Sequence, residues 1–144
     1  MIKVLSFRLQ DKLLGIETKY VKEINRNVVY TAVPRVPKKV VGLFNMRGQV
    51  VTLLNLSDIL GCDATSEKQS NTCIILKEAP NSPNQAGFII DRTEDVIDIP
   101  EGICETPPAN VDADKYEYIK KVARLENELL MIIDPNLIRG FKKI

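Results

Sequence analysis

Short apolar runs, each too brief for a free-standing helix, recur from one end of the chain to the other: IKVLSFRL, LLGIE, VVGLFNM, QVVTLLNL, TCIILK, AGFIID, DVIDI, YIKKVARL and ELLMIID. They are rich in Val, Ile and Leu and are bounded by Gly, Pro, Asn or Asp, which is the pattern of strands separated by turns. Such strands must close or stack, because apolar faces and unpaired edges would otherwise stand in water. The expectation is a mainly β protein with closed or sandwiched sheets and only short helices.

The pattern also occurs twice. GIETKYVKEI from Gly15 lies over GFIIDRTEDV from Gly87, an offset of 87 − 15 = 72. VVGLFNMRGQVVTLLN from Val40 lies over IKKVARLENELLMIID from Ile119, an offset of 119 − 40 = 79, which sets Gly48 on Asn127 and Asn55 on Asp134. The difference, 79 − 72 = 7, is a longer loop in the second half, where EGICETPPANVDAD lies. A duplicated β unit explains both alignments and predicts two small barrels side by side, approximately residues 1–70 and 71–144, with room for strand exchange between the halves.

The turns follow from the same register. Arg47-Gly48 and Glu126-Asn127 are predicted as two-residue hairpin tips, with Gly48 and Asn127 as the residues that tolerate positive φ. A short helix is expected after each hairpin. LSDIL has Asn55 or Ser57 to cap it and Gly61 to stop it, and DPNLI has Asp134 as cap and Pro135 in the first helical position. Thr18 is expected to cap one helical turn in TKYVKEI.

Composition removes several chemistries. The 144 residues include no histidine, so the commonest general base, the usual nucleophile pairs and the most frequent zinc ligand are missing. No phosphate-cradling glycine motif or nucleophile elbow is present. Cys62, Cys73 and Cys104 are odd in number and widely spaced, which fits ordinary reduced thiols better than a disulfide framework or zinc site. Carboxylates crowd in DRTED (Asp91, Glu94, Asp95) and DADKYEY (Asp112, Asp114, Glu117), without the spacing of a calcium loop. No catalytic residue, cofactor or metal is expected.

Twenty basic against nineteen acidic residues leave a net charge of +1, which gives no reason to expect nucleic acid or an anionic membrane as the main partner. The basic run PRVPKK (Arg35, Lys38, Lys39) has only Tyr30 nearby to stack a base. The N-terminal segment is broken by Lys3, Arg8, Asp11 and Lys12, so neither a signal peptide nor direct membrane insertion is expected, and the predicted location is the cytoplasm. The strongest functional signal is the tip FNMRGQ, where Arg47 carries a planar fork of donors suited to carboxylates or carbonyls.

The wider frame around that tip resembles the CheW-like chemotaxis coupling family along nearly the whole chain. The family signatures VxEI, PxxPxxvxGxxNLRGxvvPvxDLRxxLG and GLxVDxV are matched by Val21 to Ile24, by Pro34 to Gly61 and by Gly87 to Val96. Thr52, Asn55 and Ser57 depart from it, standing where the family usually has Pro, Asp and Arg. The resemblance implies two five-stranded SH3-like barrels and a non-catalytic adaptor in chemotaxis signal transduction. It implies as partners the cytoplasmic tip of a chemoreceptor and the regulatory domain of a CheA-type histidine kinase, at a membrane-associated or soluble receptor array. Carried over by motif, Val21, Glu23, Gly42 and Arg47 are receptor-binding residues, and Asn45, Met46 and Gly48 complete the tip. An apolar groove between the barrels is expected to receive a helix. The kinase-facing residues are not assigned. A small-barrel module that binds nucleic acid or a ligand is the alternative.

Overall fold

The structure is a computed structural model and describes residues 1–34, 40–60, 71–77, 85–106 and 118–139. In chain order the strands are β1 (Ile2–Leu9), β2 (Lys12–Glu17), β3 (Val21–Asn25), β4 (Val40–Met46), β5 (Gln49–Leu54), β6 (Thr72–Leu76), β7 (Gln85–Ile90), β8 (Arg92–Ile99), β9 (Cys104–Glu105), β10 (Ile119–Arg124) and β11 (Leu129–Ile133). Helix α1 (Leu56–Ile59) follows β5 and α2 (Pro135–Arg139) follows β11. Single 3₁₀ turns occupy Thr18–Tyr20 and Glu101–Ile103.

The strands form two sheets, ordered β8-β1-β2-β11-β10-β9 and β3-β6-β7-β5-β4. Five strands in each occupy matching places, and the sixth in the larger sheet is the two-residue β9. The two halves exchange strands reciprocally. Strands β1 and β2 join the larger sheet beside β8, β10 and β11, while β6 and β7 join the smaller one beside β3, β4 and β5.

The joints are parallel pairs in an otherwise antiparallel fold. Gly15 in β2 lies opposite Ile132 in β11, and Gly87 in β7 lies opposite Leu53 in β5. The glycines differ by 87 − 15 = 72 and their partners by 132 − 53 = 79, the same two offsets read from the sequence. The repeat is therefore structural.

Three apolar clusters follow. Val4, Leu13, Ala123, Leu130 and Ile132 fill the larger sheet's own interior. Val51, Leu53, Cys73 and Ile75, with Phe44 and Met46, fill that of the smaller one. The largest cluster joins the two sheets, with Leu5, Phe7, Leu14 and Ile16 on one side and Leu54, Ile74, Leu76 and Phe88 on the other. Phe7 and Phe88 meet at its centre with ring centroids 5.7 Å apart.

Successive residues of a strand point to opposite faces, so Cys73 and Ile75 enter one core while Ile74 and Leu76 enter another. That explains why TCIIL and LLMII are continuously apolar instead of alternating. The aliphatic side chains expected to line a groove between the barrels are buried in this shared core.

The caps confirm part of the local reading. Asn55 Oδ1 accepts the Asp58 N–H at 3.3 Å, and Asp134 Oδ1 accepts the N–H of Asn136 at 3.0 Å and of Leu137 at 3.4 Å. Thr18 does not cap its turn. Glu17 holds that position and makes no side-chain cap bond, because the chain enters the turn directly from β2.

The β4–β5 tip is Arg47-Gly48, with φ of 51° and 84°, as a two-residue turn with both centres left-handed requires. The β10–β11 tip differs. Leu125 N–H donates to the Glu128 carbonyl at 2.9 Å, closing a bend through Glu126 and Asn127, and neither of these has positive φ. Gln10 and Asp11, at φ of 50° and 65°, make the β1–β2 turn without glycine.

The shared core ties the two sheets into one cooperative unit. Phe88→Ala should cost about 3–5 kcal/mol, and denaturant unfolding followed by fluorescence and by circular dichroism should remain a single coincident transition. Two separated transitions would show that the sheets are stable apart.

Candidate functional site

Strands β3 and β4 stand at opposite edges of the smaller sheet, so the sheet has to roll for them to meet. They meet at an ion pair. Arg47 Nη2, at the β4–β5 tip, donates to Glu23 Oε2 on β3 at 2.5 Å. The arginine side chain remains 69% exposed, so this contact shapes the surface more than it stabilises the fold.

Beside the pair is a cleft of about 340 Å³ at the seam of the rolled sheet. Its rim carries Glu23, Asn25, Asn27, Asn45 and Arg47. Its floor is Val28, Phe44 and Met46, all buried. Val29 stands on the lip and is 88% exposed, while Val50 is exposed on the neighbouring hairpin.

The seven residues assigned from the sequence separate by role. Glu23, Asn45 and Arg47 present polar groups at the cleft, and Met46 contributes to its floor. Gly48 supplies turn geometry, and its N–H donates to Asn45 Oδ1 at 2.9 Å. Gly42 lies in β4 against the chain of the β3–β4 connection. A Cβ there would stand 2.4 Å from the Thr31 carbonyl oxygen, where Thr31 and Leu43 exchange two backbone hydrogen bonds. Val21 lies in β3 against the shared core and does not line the cleft.

Asn25, Asn27 and the exposed Val29 were not marked by the sequence reading. Asn25 ends β3 and the other two follow it in a stretch without an apolar period, and only closure of the sheet brings them to Arg47.

The larger sheet closes its seam differently. Arg8 Nε donates to Glu94 Oε1 on β8 at 2.8 Å, while Nη1 and Nη2 hold Glu128, beside the β10–β11 tip, at 3.0 and 2.6 Å. The hydrogen bond from Arg8 keeps the Glu128 carboxyl below the usual carboxylate range, and the two glutamates raise the Arg8 pKa further.

Among the described residues no group of three or more His, Cys, Asp or Glu side chains could hold a metal. In DRTED, Asp91 accepts the Gln10 N–H at 2.8 Å and Glu94 is paired with Arg8. Residues 112, 114 and 117, the basic run 35–39, Cys62 and Gly61 lie outside the described residues. No helix among the described residues is long and apolar enough to cross a membrane.

The CheW-like domain profile matches residues 3–140. The chain belongs to the CheW-like domain family. It is 29% identical to the chemotaxis protein CheW of Bacillus subtilis (strain 168), over 94% of this chain and 85% of that one. Against the chemotaxis protein CheW of Treponema pallidum (strain Nichols) identity is 27%, over 99% and 84% of the two chains.

The crystal structure of the scaffolding protein TtCheW from Thermoanaerobacter tengcongensis superposes with a TM-score of 0.85 at 24% identity, covering 99% of this chain and 97% of that chain. This likeness shows the fold, the two-subdomain SH3-like arrangement of the CheW-like family. Of the departures from the family pattern, Asn55 keeps the helix cap, and Ser57 is buried instead of presenting a charged surface group.

Two outcomes test these roles. Gly42→Ala should lower the melting temperature clearly by forcing the Thr31 strand away, whereas Arg47→Ala should cost less than about 1 kcal/mol. The reverse order would make the ion pair structural. Cys73 is buried, and burial pushes its thiol up to about 12, so it should resist iodoacetamide in the folded protein and react only in denaturant. Labelling of native Cys73, read by mass spectrometry, would contradict the packing.

Proposed function

We propose that this CheW-like chain is a non-catalytic adaptor that couples the cytoplasmic tip of a chemoreceptor to the regulatory domain of a CheA-type histidine kinase. Its place of action is the cytoplasmic receptor array. The observation that carries the reading is the meeting of Glu23 and Arg47, 24 residues apart, at an exposed rim beside an apolar-floored cleft. Both are positions at which this chain matches the family's coupling motif.

The receptor-facing surface consists of Glu23, Asn45 and Arg47, with Met46 beneath it and Gly48 fixing the tip. Gly42 and Val21 act through the packing of β4 and β3. A rim of this kind contributes register and selectivity more than raw affinity, because its charges stay hydrated. The kinase is met elsewhere, and no residues are assigned to that contact.

Immobilised wild-type protein should retain a receptor cytoplasmic fragment and a CheA-type kinase from solution. Arg47→Asp, which sets a second carboxylate against Glu23, should reduce receptor retention about ten-fold with kinase retention and circular dichroism unchanged. If wild-type protein retains neither partner, the adaptor reading is wrong. If receptor retention survives Arg47→Asp, the receptor-facing surface lies elsewhere.

A further inference from the structure

The rim of the seam cleft is biased in its hydrogen bonding. Asn45 Oδ1 accepts the Gly48 N–H at 2.9 Å, and Asn25 Oδ1 accepts the Asn27 N–H at 3.0 Å. A backbone N–H can only donate, so the oxygen of each amide must face its own turn. Each NH₂ group is thereby turned away from the backbone it caps. Arg47 adds more donors, since only Nη2 is engaged and Nε and Nη1 have no partner among the described residues. The rim thus presents three such donor groups beside the Asn27 amide, which offers both a donor and an acceptor, and one carboxylate, Glu23, of which Arg47 already holds Oε2.

Arg8 of the larger sheet, although the repeat does not match it to Arg47, shows how many carboxylates one guanidinium holds in this chain. It holds two, Glu94 from one side and Glu128 from the other. Arg47 in the smaller sheet holds one. Among the described residues Arg47, whose own counterpart in the repeat is Glu126, holds no second carboxylate, and the amides of Asn25 and Asn45 line the same cleft.

We propose that the seam cleft is an acceptor-selective docking site for an acidic segment of a protein partner. A partner Asp or Glu carboxylate becomes the second ligand of the Arg47 guanidinium and accepts from the Asn25 and Asn45 amides. An aliphatic neighbour in the same segment covers Phe44 and Met46. The assignment rests on the adaptor reading and deepens it by naming the chemistry the partner offers at this surface. Glu23 remains in place as the residue that positions Arg47.

The test is a titration of the ¹⁵N-labelled full chain with two blocked nonapeptides, one centred on Leu-Glu-Leu and one on the isosteric Leu-Gln-Leu. The Glu peptide should shift the side-chain NH₂ resonances of Asn25 and Asn45 and the Nε–H of Arg47, with a weak Kd on the order of 1 mM. The Gln peptide should bind about ten-fold more weakly, since charge-assisted hydrogen bonds are the stronger ones.

Asn25→Asp with Asn45→Asp keeps both turn-capping oxygens and replaces both donors by acceptors. Binding of the Glu peptide should be lost in this variant while its melting temperature is retained. Equal binding of the two peptides, no shift at the three side chains, or wild-type binding by the double variant would overturn the proposal. The peptide comparison on wild-type protein stands even if the double variant fails to fold. A null titration beside Arg47-dependent receptor retention would defeat this inference alone, and a positive titration beside receptor retention that ignores Arg47→Asp would defeat only the receptor assignment.

Discussion

The constraint on which the structure depends is that its central strands serve two cores at once. Ile74 and Leu76 pack between the sheets while Cys73 and Ile75, on the same strand, fill the interior of one of them. In β11, Leu130 and Ile132 face one interior while Ile133 faces the shared core. A polar residue on either face of these strands would be desolvated, so the chain cannot relax into alternation there. Each sheet is small, and its own interior holds only a handful of buried side chains. The shared cluster supplies the apolar burial that neither could reach separately.

Much of this was legible because the repeat is written in spacing. The offsets 72 and 79 returned as the two parallel pairings of Gly15 with Ile132 and Gly87 with Leu53. Asn55 and Asp134 cap their helices because a short polar side chain ahead of a helix has few better uses. The exchange of strand pairs left no sequence trace: the offsets are the same whether β2 pairs with β5 or with β11. Local preference misled at two turns and was silent at a third. Asn127 tolerates positive φ, but a bend closed by Leu125 and Glu128 did not need it, and Gln10 and Asp11 adopt it with no glycine to signal them. Thr18 lost its capping role to the geometry of a chain leaving a strand.

The site was half legible for a related reason. Arg47 and Glu23 could be singled out by motif, but their contact depends on the rolling of a sheet whose edge strands are not neighbours in sequence. The asparagines became informative only once the direction of their hydrogen bonds was known, since the residue name alone gives both a donor and an acceptor. The comparison of Arg47 with Arg8 is one of guanidinium chemistry and not of the repeat, which sets Arg47 on Glu126. It distinguishes a seam satisfied by its own chain from one whose arginine keeps donors to spare.

The order in which strands enter the two sheets also constrains how the molecule is made. Strands β3 to β7 are contiguous and complete the smaller sheet by residue 90, whereas the larger sheet needs β1 at its beginning and β11, ending at Ile133. One sheet is nested inside the other along the chain. On a ribosome the β1–β2 hairpin emerges before the other strands and meets β11 only after the whole inner sheet has emerged. Until then Leu14 and Ile16 lack partners from β11 and α2. Pairings this distant form slowly and expose apolar surface meanwhile. The inner sheet, folding first, offers that hairpin the far wall of the shared core while it waits.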